Sequence, residues 1–172
     1  MAEPGYKQLL SYKLAQLAFD LGWNFVPIYY HKYEDGRQRD QIKQALRSLK
    51  QNIVEGSSER SLSSKLKLYD VAKSSGMEAL EDFEDVLRHK QLPRWPKSDS
   101  RLIKLHFIFE SNPPNPSTSS LPSLSTISQA LGLEESDGLE GTVNYLIDLL
   151  IRCGYLLDKQ INAVEIKHQQ EG

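Results

Sequence analysis

Apolar residues recur at the spacing of an amphipathic helix in four stretches of this sequence, a pattern that a β-sheet does not produce. In residues 6–30, Leu10, Leu14, Leu17, Leu21, Phe25 and Ile28 follow one another at steps of 4, 3, 4, 4 and 3. The spacing predicts a first helix that bends or ends near Pro27, because proline lacks the backbone donor its turn needs. A turn is expected at Glu34-Asp35-Gly36. A second helix over about 38–55 turns Ile42, Ala45, Leu46, Leu49 and Ile53 inward, and Gly56 is read as the left-handed residue that ends it.

The serines from Ser57 to Ser61 offer N-cap hydroxyls to a third helix whose stripe is Leu62, Leu66, Tyr69, Ala72, Gly76, Leu80, Phe83 and Leu87. Gly76 would let a neighbouring helix come close, and Pro93 and Pro96 stop the helix. The last helix opens at Asp137-Gly-Leu-Glu140, spaced as a capping box, and carries Leu139, Val143, Leu146, Leu150, Cys153, Leu157, Ile161 and Val164. Between the third and last helices, 101–109 is an apolar segment that fits either a short buried helix or a strand. Residues 111–128 hold four prolines and seven serines and read as a mobile linker.

The expected fold class is therefore all-α: an up-down-up-down four-helix bundle with a long, partly disordered insertion before the last helix. Its parts are the first three helices (1–96), the apolar segment and Pro/Ser-rich linker (97–136), and the helix that completes the bundle (137–172). A length of 172 residues suits one domain. The single cysteine excludes an internal disulfide framework and any multi-thiolate metal site. No basic patch followed by an apolar run opens the sequence, and no aliphatic run approaches the ~20 residues of a membrane span, so a cytoplasmic location is expected.

Two features point beyond the core. Tyr12, Phe19, Trp23, Val26 and Tyr30 form a second stripe on the first helix, roughly opposite the first stripe. A helix apolar on two faces needs cover on both, either from another subunit, which makes these five residues an oligomer interface, or from the chain's own core. The second feature is charge. The formal net charge is −2, yet Arg37 to Lys73 holds nine basic residues against four acidic ones. Arg39, Lys43, Arg47 and Lys50 step by 4, 4 and 3 into one file on the second helix. Such a file fits an RNA or DNA backbone, which is bound by counterion release with little regard to sequence. The alternative is a solvated face paired with acids such as Glu78, Glu81, Asp82, Glu84 and Asp85 of the third helix.

Catalysis has no visible home. Only Glu165-Ile-Lys-His168 has the Glu-x-x-His spacing of a bundle metal site, and it stands alone near the frayed C-terminal end. Cys153 lies on an apolar stripe, and His31, His89, His106 and His168 are scattered. No enzyme, catalytic residue, metal ligand or cofactor is expected. A divalent-metal nuclease built on the third-helix acids is the remote alternative.

The stretches Gln41-Ile-Lys-Gln-Ala-Leu-Arg-Ser-Leu-Lys-Gln-Asn-Ile-Val-Glu-Gly-Ser57, Lys65-Leu-Lys-Leu-Tyr-Asp-Val-Ala72 and Glu78-Ala-Leu-Glu-Asp-Phe-Glu-Asp-Val-Leu-Arg88 resemble a bacterial four-helix-bundle family. That family includes proteins encoded in intervening sequences of ribosomal RNA genes and the accessory variability protein of diversity-generating retroelements. Gly154-Tyr-Leu-Leu-Asp-Lys-Gln160 resembles its subgroup with a C-terminal four helix bundle suffix region. The resemblance implies a homo-oligomeric ring, commonly a pentamer, and in the retroelement members a reverse transcriptase partner and nucleic-acid binding. The expected function is a non-enzymatic accessory or scaffold protein, with a pure protein–protein interaction module as the alternative. Within Asn52-Ile-Val-Glu-Gly56, Asn52, Glu55 and Gly56 are read as a structural turn: Asn52 bonds to nearby backbone and Glu55 reaches the amides that open the third helix.

Overall fold

The computed structural model describes residues 4–111, 121–134 and 137–171. After a 3-10 turn at Gly5–Gln8 come α1 (Leu10–Tyr29), a 3-10 turn at Tyr33–Asp35, α2 (Gly36–Ser58), α3 (Leu62–Lys90), α4 (Ser100–Glu110), α5 (Leu124–Ala130) and α6 (Gly138–Glu171). The pairs α1–α2, α2–α3, α3–α6 and α6–α1 all pack together, which closes the expected all-α four-helix bundle. Its core joins Leu14, Leu21 and Phe25 of α1 to Leu46 and Ile53 of α2, Phe83 of α3, and Leu146 and Leu157 of α6, all nearly or fully buried. No helix among the described residues is long and apolar enough to cross a membrane.

α1 ends two residues after Pro27, close to where the sequence placed its end. The proline sits in the last turn, the helix runs on to Tyr29, and Tyr30 N–H still donates to Val26 O at 2.9 Å. The apolar segment at 101–109 is the helix α4, capped by Asp99, whose side chain accepts from Arg101 N–H. Part of the expected linker is ordered. Ser123 and Thr126 form a reciprocal capping box, and the α5 they open buries Ile127 completely. The remainder of that expected mobile linker, 112–120, lies outside the described residues.

The turn assigned to Asn52, Glu55 and Gly56 is corrected. All three lie inside α2, which continues to Ser58. Asn52 does bond to backbone, donating from Nδ2 to Ser48 O at 2.8 Å. Glu55 is exposed, and no hydrogen bond or ion pair joins it to the described residues of α3. Glu59 takes the role instead, its Oε1 accepting from the backbone N–H of Arg60 and Ser61 at 3.0 and 3.2 Å. This follows from position: Glu59 is the first residue past the helix, where amides are free, while Glu55 is held one turn back among carbonyls. Gly56 is helical and buried because the Tyr69 ring of α3 lies against it, not because the chain turns left there.

The oligomer-interface reading is corrected at two of its five residues, while Trp23 keeps 48% of its surface exposed. Tyr12 is 9% exposed and Val26 is 0%, so both belong to the chain's own core. Tyr6 of the first 3-10 turn meets the Tyr12 ring edge-on at 5.1 Å. On the adjoining flank, Cys153 Sγ–H of α6 donates to Ser11 O at 3.4 Å, and Ser11 Oγ–H donates to Gln160 Oε1. Between α2 and α6, α1 is covered on two faces within one chain, and this is why it could afford two apolar stripes.

Glycine contacts allow two opposite tests. A Cβ on Gly56 would stand 2.7 Å from the buried Tyr69 ring, so Gly56→Ala is expected to destabilise the bundle by about 1–3 kcal/mol. Nothing lies within 4 Å of a Cβ on Gly154, so Gly154→Ala is expected to stabilise it by about 0.5–1 kcal/mol. Urea unfolding followed by circular dichroism reads both, and a sign reversal at either position would contradict the packing described.

Candidate nucleic-acid interface

The basic file of α2 does not meet the acids of α3. Among the described residues none of Arg39, Lys43, Arg47 and Lys50 lies within 4.0 Å of a carboxylate. Three of the five α3 acids have other partners: Glu84 takes Arg94 at 2.8 Å, Asp85 takes Arg88 at 2.8 Å, and Asp82 accepts from Gln38 Nε2 at 3.3 Å.

Aromatic rings of α1 receive the lysines. Lys43 Nζ sits 3.6 Å from the centre of the Trp23 ring, and Lys50 Nζ sits 4.1 Å from that of Phe19. The pairing follows from the antiparallel course of the two helices: moving forward from Phe19 to Trp23 on α1 means moving back from Lys50 to Lys43 on α2. Phe19 and Trp23 themselves are neighbours, their centroids 5.3 Å apart. The two features that looked separate in the sequence, an aromatic stripe and a cationic file, therefore form one seam. Each cation–π contact contributes about 0.5–1 kcal/mol at such a site.

Members of the seam differ in what they have left to offer. Arg39 is committed to the backbone: its Nη1 donates to Tyr30 O and, at 2.9 Å, to Lys32 O, tying the α1–α2 connection. Tyr30 is half-buried, and burial, together with Tyr29 and the carboxylates of Asp82, Asp85 and Asp35, pushes its phenol up to about 12. It stays neutral. Arg47 is exposed, and Trp23 keeps 48% of its surface open despite Lys43. One acid lies beside the seam: burial raises the Asp20 carboxyl, and the nearby Lys50 partly offsets this.

A second polar cluster, not legible in the sequence, forms where α4 lies on α6. His106 Nε2 and Asp148 Oδ2 are 2.7 Å apart, and Arg152 Nε–H donates to the same oxygen at 2.9 Å. The Arg152 guanidinium also grips both oxygens of Glu110, each at 2.8 Å, and Tyr145 O–H donates to Glu110 Oε2 at 2.8 Å. His106 was read as one of four scattered histidines, but its partners come from a helix 42 residues away. The repeat His106, Glu110 on α4 and Asp148, Arg152 on α6, each one turn apart, was the available signal. The His106–Asp148 contact and both Arg152–Glu110 bonds run between α4 and α6, while Arg152–Asp148 lies within α6, and the inter-helix bonds make the cluster a clamp. Cys153 is inert, since burial pushes its thiol up to about 12. No group of three or more His, Cys, Asp or Glu side chains among the described residues could hold a metal ion.

The clamp has a pH signature. Burial alone would raise the Asp148 carboxyl, but the bonds from His106 and Arg152 outweigh it and hold it below the usual carboxylate range. A depressed carboxyl stabilises the fold above its unfolded value, near 4, and that contribution is lost as pH falls through the folded value. The stability of the protein is expected to fall below about pH 4, and Asp148→Asn, though less stable at pH 7, is expected to show a flatter acid limb in pH-dependent urea titrations. Arg152→Met removes the guanidinium that Asp148 and Glu110 share, leaving only His106 and Tyr145 as their partners, and is expected to cost on the order of 2 kcal/mol.

No family model, curated protein or solved structure matches this chain.

Proposed function

We propose that this protein is a non-enzymatic helical-bundle accessory protein that binds an RNA or DNA strand along the seam between α1 and α2. The observation that supports this most strongly is the set of cations there that form no ion pair with any described carboxylate, Lys43 and Lys50 lying against half-open aromatic rings. Single-stranded nucleic acid is bound by that combination: cations track the phosphates and an exposed ring stacks on a base without reading its sequence. Lys43, Arg47 and Lys50 serve the phosphates, Trp23 serves a base, and Arg39 holds the α1–α2 connection that keeps the seam in register.

The seam is complete within one copy. Homo-oligomerisation, which the family resemblance implies, would repeat it around an axis, and a reverse transcriptase is the protein partner implied by the same resemblance. Binding itself requires neither.

Fluorescence anisotropy of a labelled single-stranded RNA across a salt series tests the proposal. Lys43→Ala combined with Arg47→Ala is expected to lower the slope of log affinity against log salt by about 1.4, since each phosphate contact on a single strand contributes about 0.7. Trp23→Ala is expected to weaken binding by about 1–3 kcal/mol at every salt concentration with the slope unchanged. Absence of binding by the wild type, or a slope unchanged in the double variant, would refute it.

A further inference from the structure

On the opposite side of α6 from α1, a half-open cavity of about 760 Å³ separates the α3–α4 connection from the outer face of α6. Its walls are mostly apolar, from Trp95, Leu102, Ile147, Ile151 and Tyr155, and its volume lies within the ~300–1,000 Å³ usual for small-molecule sites. Both flanks are held in place without a ligand. On one side Trp95 N–H donates to Asn144 Oδ1 at 2.7 Å, Trp95 Nε1–H donates to Glu140 at 2.7 Å, and Asn144 Nδ2 donates to Pro93 O at 3.1 Å. On the other side stands the His106–Arg152 clamp. A cavity walled by two hydrogen-bonded supports is pre-formed.

One polar group in that wall is left with an open valence. Asp148 lines the cavity and is 8% exposed. Both of its hydrogen bonds within the clamp go to Oδ2, and Oδ1 accepts none from any described residue. The Glu110 oxygens, by contrast, are both taken. The charges do not close either. Arg152 is one cation shared between two carboxylates. At the mouth, Arg94 is cancelled by Glu84, and Lys97 is exposed, where water screens it.

We infer that this cavity is a binding site for a small apolar amine, its protonated nitrogen donating to Asp148 Oδ1 and its hydrocarbon or aromatic body lying against Trp95, Leu102 and Ile151. An amine fills the open valence with an N–H donor, and a carboxylate of the same shape has no proton to donate there and sets an anion beside Asp148. The inference is independent of nucleic-acid binding, because the seam lies on α1 and α2.

Three probes on one skeleton separate the chemistry: tryptamine, tryptophol and indole-3-propionate, titrated calorimetrically into the full chain at pH 7. Tryptamine is expected to bind saturably at one site, at least ten-fold tighter than indole-3-propionate, with tryptophol between them. In a nitrogen-15 spectrum of the two indole N–H groups, Trp95 is expected to move and Trp23 to stay. Ile151→Trp fills the cavity from a wall that is 42% exposed, and is expected to abolish tryptamine binding while keeping the wild-type unfolding curve. No saturable binding of tryptamine, equal or tighter binding of the carboxylate, a shift at Trp23 in place of Trp95, or unimpaired binding by a folded Ile151→Trp would each overturn the inference.

Discussion

The N-terminal half of α6 is buried on every side, and most of the structure answers to that fact. All ten residues from Gly141 to Leu150 are buried, so no strip of this helix faces water over nearly three turns. A four-helix bundle covers only the inward stripe of a helix, here Val143, Leu146 and Leu150, and leaves Tyr145, Ile147 and Leu149 to be covered from outside. The insertion does this: α4 and α5 lie on the back of α6, and α5 also reaches α1. An insertion that looks like an interruption of the bundle is thus the second half of its core.

Burying that half-helix also buries its polar residues, and their needs shape the surface features described above. Asn144 cannot lie in an apolar layer unpartnered, and it ties down the extended segment from Pro93 to Trp95 while also bonding to Glu140 O at 2.9 Å. Asp148 cannot lie there as a lone charge, and it recruits His106 and Arg152, which in turn brings Glu110 and Tyr145. Two anchors on one face of a helix, one turn apart, hold a loop on one side and a helix on the other, and the space between them is the cavity. Position along α6 thus determines the placement of the pocket.

The α1–α2 seam arises from a different compromise. A helix between two others must be apolar on both contact faces, and where its edge runs out to solvent the rings have no core left to enter. Phe19 and Trp23 are covered by lysine side chains, which lay their ammonium groups over the rings and keep access to water. The arrangement shields aromatic surface without neutralising charge, so one edge of the molecule presents both.

Helix order, most of the apolar stripes and the closing of the bundle by the last helix were legible in the sequence, because a 3.6-residue repeat is a local property read without knowing the partner, but Leu10 and Ile28 at the ends of the first stripe are exposed. The helix at Leu124–Ala130 was not, since its serine-rich composition resembles a linker and only the exposed back of α6 rewards its folding. Gly56 was legible as a special position but not for its reason: a glycine required by a neighbouring ring and one required by a left-handed turn are the same letter. Among the described residues, left-handed backbone ends two helices: Gly132, with φ 68°, follows α5, and Gln91, with φ 54°, ends α3 and carries no comparable signal. Periodicity by itself determined which residues share a face. Only the tertiary structure decided what each face meets, and so turned a presumed subunit contact at Tyr12 and Val26 into core, set Lys43 and Lys50 on rings in place of acids, and joined His106 to Asp148, because those outcomes depend on how helices distant in the chain are placed against one another.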